Sequence, residues 1–137
     1  MTDIQRKINK IAEKYHIQII YAFGSRAKEI ARVLDGKKRP LTRSRSDLDI
    51  GIIPDKPLRV KEIADISIFF EDLFDLPRVD IVVVPAAPIP LAYQIVTGEL
   101  LYVKDDRWEA EYQLMIMRMM ADLHPHLRMK REMILRA

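Results

Sequence analysis

Two short acidic and anion-facing signatures carry the chemistry of this chain. Asp47-Leu48-Asp49 opens the apolar run Ile50-Gly51-Ile52-Ile53. On a strand, side chains two apart share a face, about 6.6 Å from each other, so both carboxylates would point the same way. Two like charges so placed call for a cation, and hard oxygen ligands on a rigid element suit Mg²⁺, which completes its shell with water and substrate phosphates. Upstream, Phe23-Gly24-Ser25-Arg26 ends the apolar run Ile17–Phe23. Gly24 can bring backbone N–H groups close to an anion, and Ser25 is a good N-cap for a helix through Ala27, Ile30, Ala31 and Val33. Strand, Gly-Ser and helix N-terminus together make a phosphate cradle. Cradle and acidic pair then read as a nucleoside triphosphate held with its metal.

The elements that must position these residues follow from periodicity. Thr2–Lys14 is a helix capped by Thr2, with Ile4, Ile8 and Ile11 on its apolar face. Ile17–Phe23 is a buried strand and the Asp47 run begins a second. Between them the stretch 34–46, with Asp35-Gly36, Pro40 and a polar Thr42–Ser46 run, reads as a loop. In Leu58–Phe74, Val60, Ile63, Ile66, Phe69, Phe70 and Leu73 recur at helical spacing, leaving Asp65, Glu71 and Asp72 as a solvated face. Val79–Val84 is strand-like, with Asp80 its single charge. A lone Asp there is either bonded to strand-edge backbone or a third ligand facing Asp47 and Asp49; the upstream Gly-Ser and Asp-x-Asp favour the second. Pro90–Thr97 is a helix stopped by Gly98, Leu100–Val103 a fourth strand, and a last helix begins near Arg107. On it Trp108, Tyr112, Met115 and Met119 share a face that Leu114, Met117 and Met120 widen, a candidate protein interface. His124-Pro125-His126 is expected to interrupt this helix before a basic amphipathic tail, and the two histidines are read as surface residues rather than metal ligands. The expected fold is α/β (α+β): a small mixed sheet of about four strands with helices packed on it.

At Gly24-Ser25, Asp47-Leu48-Asp49 and Arg78-Val79-Asp80-Ile81-Val82-Val83 the chain resembles the minimal nucleotidyltransferase (MNT) domains of the polymerase-β-like superfamily, the type paired with HEPN-domain proteins. The likeness continues through Pro90-Leu91-Ala92-Tyr93 to Gly98-Glu99-Leu100-Leu101-Tyr102 and covers most of the chain. It implies the polymerase-β-like fold, nucleotide binding by Gly24 and Ser25, and catalysis and metal binding by Asp47, Asp49 and Asp80 with one or two Mg²⁺ ions. It further implies ATP as substrate and transfer of AMP to a tyrosine hydroxyl of a HEPN-type partner, the chain acting as antitoxin. One departure stands out: 21 residues separate Ser25 from Asp47, a longer connection than the family's usual one.

Composition bounds these readings. The 137 residues are about half apolar and 31% charged, in keeping with a single domain over 1–137 carrying a basic insertion near 34–46 and a C-terminal helix and tail near 105–137. Without cysteine there is no disulfide framework, thiolate site or thiol nucleophile. No apolar run approaches the ~20 residues that cross a bilayer, so the cytoplasm is the expected compartment and no membrane is involved. The net charge of +3 is uneven: Arg26–Arg45 carries +6 and the remainder −3. That basic stretch, with Lys37, Lys38 and Arg39, leaves nucleic acid as the weakest of three readings. The alternative to the enzyme is a catalytically weak module that neutralises its partner by contact through the C-terminal helix, and the Met-rich surface is compatible with a homo-oligomer.

Overall fold

The computed structural model describes residues 2–36 and 47–136. Its elements are α1 (Asp3–Lys14), β1 (Ile17–Phe23), α2 (Ala27–Leu34), β2 (Leu48–Pro54), α3 (Val60–Phe74), β3 (Val79–Val83), a 3₁₀ turn (Val84–Ala86), α4 (Ile89–Val96), β4 (Glu99–Val103) and α5 (Asp106–Arg136). Most of the basic connection, including Lys37, Lys38, Arg39, Arg43 and Arg45, lies outside the described residues.

The four strands form one mixed sheet in the order β3-β2-β1-β4. β1 runs antiparallel to both β2 and β4, whereas β2 and β3 are parallel and are joined through α3, the crossover a parallel pair requires. The central strands are nearly continuous in apolar residues because helices cover both faces. Ile20, Ala22, Leu48, Ile50, Ile52 and Val79 face α1, α2 and α3, which contribute Ile8, Ala12, Ile30, Val33, Ile66, Phe70 and Phe74. On the other face Ile19, Tyr21, Phe23, Ile53 and Val84 pack with Ala92, Ile95 and Val96 of α4 and Ile116 of α5. The alternation places Asp49 and Asp80 on this second face, out of phase with Leu48, Ile50 and Val79.

Several sequence expectations hold. Thr2 caps α1, its hydroxyl accepting from Gln5 N–H at 3.1 Å. α4 stops where Gly98 stands, although Gly98 is not in the left-handed region; a Cβ there would lie 2.4 Å from the Ala22 carbonyl oxygen, so glycine is required by the approach of β1.

Other expectations are corrected. α2 starts at Ala27 rather than Arg26, and its N-cap is Arg26, without a side-chain cap. Ser25 is an exposed turn residue. Val60 lies in the first turn of α3, before the helix meets the sheet, and is 84% exposed instead of core. Glu71 is no simple solvated residue, since it accepts a hydrogen bond from Val79 N–H. Nor does His124-Pro125-His126 break the last helix, because α5 runs through Pro125. A proline inside a helix removes one backbone bond at a cost of about 3 kcal/mol. Good helix formers on both sides offset that, with Leu123, Arg128, Met129 and Lys130 close by. Among the described residues of α5 the one buried in the core is Ile116, which the Met and aromatic positions had obscured. A buried Tyr21 hydroxyl also ties the sheet to this helix by donating to Glu109. Burial and the neighbouring carboxylate keep that phenol protonated.

Candidate active site

The site forms at the end of the sheet where β1 finishes and β2 and β3 begin. Registration puts Phe23 opposite Asp49 and Asp49 beside Asp80, so a row crosses three strands with two carboxylates adjacent. Asp47 immediately precedes β2. The three aspartates expected from sequence are thus brought to one sheet end. Their charges are felt: burial first, then Asp80 and Asp47, hold the Asp49 carboxyl above the usual carboxylate range.

Gly24 follows β1 with φ +79°, a left-handed conformation that glycine adopts at no steric cost. It also has to be small, because a Cβ would stand 2.7 Å from Asp49 Oδ2. The Gly24 carbonyl accepts from Ala27 N–H at 3.3 Å, closing the turn that leads into α2. Gly24 and Ser25 are exposed next to the acidic row, Ser25 as part of this turn rather than as a helix cap. Behind them Arg26 is 3% exposed and its Nη2 donates to Glu29 Oε1 at 3.3 Å, which anchors the turn to α2.

Sequence reasoning missed the groups that hold the carboxylates. Arg78 Nε lies 3.2 Å from Asp80 Oδ1 and 3.7 Å from Asp47 Oδ2, supplying positive charge between them. The basic residue two before Asp80 was a readable signal, since i and i+2 on extended backbone share a face. Among the described residues no three acidic or histidine side chains are arranged to hold a metal as placed. Asp47 and Asp80 are turned to the guanidinium while Asp49 faces the glycine turn.

β3 is an edge strand, and α3 fixes its first residue. Ser67 Oγ donates to the Val79 carbonyl at 2.6 Å, and Glu71 accepts from Val79 N–H at 3.2 Å. Ser67 and Glu71 are one helical turn apart, so both reach one residue of the neighbouring strand. This clamp lies next to Asp80 in the chain. Glu71→Ala is expected to destabilise the fold by about 1–3 kcal/mol, because a part-buried N–H loses its acceptor. Glu71→Gln, which keeps an accepting oxygen, should recover most of the loss in urea unfolding. Equal destabilisation by both variants would rule out the hydrogen bond as the cause.

The chain belongs to the polymerase β nucleotidyltransferase family, whose model matches residues 6–107. No curated protein matches the sequence at a significant level. Among solved structures, a chain of a toxin–antitoxin complex crystallised with AMP-PNP superposes with TM-score 0.67 at 22% identity, over 96% of this chain and 94% of that one. A chain of the MntA–HepT toxin–antitoxin complex gives TM-score 0.63 at 21% identity, over 96% and 93%. A tri-AMPylated HEPN toxin in complex with its MNT antitoxin, from Shewanella oneidensis, contains a chain matching with TM-score 0.63 at 21% identity, over 96% and 92%. At these identities the likeness establishes the polymerase-β nucleotidyltransferase fold. No helix among the described residues is long and apolar enough to cross a membrane.

Proposed function

We propose that the chain is a Mg²⁺-dependent nucleotidyltransferase that moves AMP from ATP to a hydroxyl of a HEPN-type partner protein, acting as its antitoxin. The observation that carries this reading is the row at the sheet end: Asp49 beside Asp80, with the left-handed Gly24 turn against Asp49. The solved relatives support the substrate and the partner, since one was crystallised with AMP-PNP and another contains an AMPylated HEPN toxin.

In this reading the Gly24 turn admits the triphosphate and the Ser25 hydroxyl donates to it. The donor set fits a hard divalent cation. Asp47, Asp49 and Asp80 offer only carboxylate oxygens, the Asp49 carboxyl is held above the usual range by burial and then by its like-charged neighbours, and Arg78 already serves Asp47 and Asp80 as a cation. Mg²⁺ held by these three aspartates would neutralise phosphate charge during transfer. The acceptor oxygen attacks the α-phosphorus and an O–P bond forms. The bond to the leaving oxygen breaks and pyrophosphate departs, while the hydroxyl proton passes to Asp80. Arg78 must give way for Asp47 and Asp80 to reach a shared cation.

Arg78 also favours a second reading, a catalytically weak antitoxin that neutralises its partner by contact, because it occupies two of the three carboxylates. Transfer of label from α-labelled ATP to a co-purified HEPN-type partner with Mg²⁺, comparing wild type with Asp47→Asn plus Asp49→Asn, separates the two. Label with the wild type alone supports the transferase. A stable complex without label selects the binding module.

A further inference from the structure

We infer that α5 is a self-complementary surface on which a second copy of this chain docks antiparallel. Met115, Met119, Met129 and Met133 are 45, 43, 61 and 67% exposed. At 100° per residue they fall within about 80° of one another, a stripe along one flank of the helix. The inward flank is different, with Ile116 buried and Tyr112 half-buried beside α4. From Arg128 through Ile134 every residue of the helix is exposed. Helices in water owe most of their stability to the packing of an apolar face, so this segment calls for a partner.

The sequence of the stripe identifies that partner. Its methionines are spaced four, ten and four, a pattern that reads the same in either direction about residue 124. An antiparallel copy therefore sets Met115 against Met133 and Met119 against Met129, twice over, in a single register. Charge selects the direction. Between Asp106 and Leu123 there are four carboxylates against two arginines, and from residue 124 to 136 four cations against Glu132. In this register Asp106 and Glu109 fall beyond the end of the copy and Arg118 comes within one helical turn of Glu132 on the same flank, whereas parallel pairing would oppose every charge with its own like. The helix is about 46 Å long and each globular body packs on its first half. The antiparallel arrangement thus holds the two bodies at opposite ends.

The test uses the full chain alone and is independent of nucleotide transfer. Sedimentation velocity across a concentration series should show a monomer–dimer equilibrium that weakens with added salt. Met119→Glu plus Met129→Glu should raise the dissociation constant at least about 30-fold, the scale of losing a buried hot spot, with the thermal transition of the monomer retained. Since the chain contains no cysteine, Met115→Cys mixed with Met133→Cys reports orientation. A mixed 115–133 disulfide is expected in excess over 115–115 and 133–133 pairs. A monomer at every concentration, a dimer indifferent to the double substitution, or predominant 115–115 pairing would each overturn the proposal.

Discussion

Asp49→Asn is expected to lower nucleotidyl transfer by about 10²–10³-fold, the scale on which removal of a group stabilising transition-state charge is felt, without lowering the stability of the metal-free protein. Both halves follow from one position. Asp49 is the middle carboxylate of the cluster, adjacent to Asp80 in the sheet register and two residues from Asp47. Asparagine keeps its shape and removes the charge that would hold the cation. The same charge is unfavourable in the metal-free fold, because burial, Asp80 and Asp47 raise the Asp49 pKa. A carboxyl whose folded pKa is raised costs stability above that pKa, and the cost vanishes below the unfolded value, where both states are protonated. At pH 7 the variant should therefore melt no lower than the wild type, and any gain should shrink as pH falls toward about 4. Transfer assays beside thermal melts at both pH values would check this. Wild-type transfer rates in Asp49→Asn would remove the residue from the site, and a large drop in melting temperature would assign it a structural role instead.

Gly24→Ala should damage both the fold and the chemistry, while Gly36→Ala damages only the fold. Both glycines have positive φ, +79° and +74°. A non-glycine residue held there costs about 1–3 kcal/mol. The surroundings differ. Among the described residues nothing lies within 4 Å of a Cβ built at Gly36, whereas one at Gly24 meets Asp49 Oδ2 at 2.7 Å. Asp49 must then swing away from the turn, and misplacement of a reacting group by about 1 Å is worth on the order of 10²-fold in rate. Urea unfolding of the two variants should give similar losses, and transfer should fall about 10²-fold or more in Gly24→Ala alone. Equal activity in the two would mean that the closeness of Gly24 and Asp49 has no part in the reaction.

The residues that carry the chemistry and the elements that hold them are local properties of the chain. The apolar run Ile17–Phe23 had to be a buried strand, and Asp47-Leu48-Asp49 had to enter the next one with alternate side chains together. The pattern around Thr2 specified the first cap, and the four strands and the helices between them are each visible as a period. Other features depend on what lies across the fold. Whether Asp80 meets Asp49 rests on the parallel register of β2 and β3, which no residue within either strand encodes. Ser25 reads as a cap from its type, yet the turn at Gly24 delays the helix to Ala27. Glu71 reads as solvated until β3 presents Val79 N–H to it. Pro125 reads as a stop, since helix propensity is local and the cost of one lost backbone bond is weighed against the whole helix. Sequence alone determined which groups are available and, for most of them, which strand or helix carries each. Only the tertiary structure decided which groups meet, because strand register, the reach of α3 to β3 and the depth of each helix come from packing between segments distant in the chain.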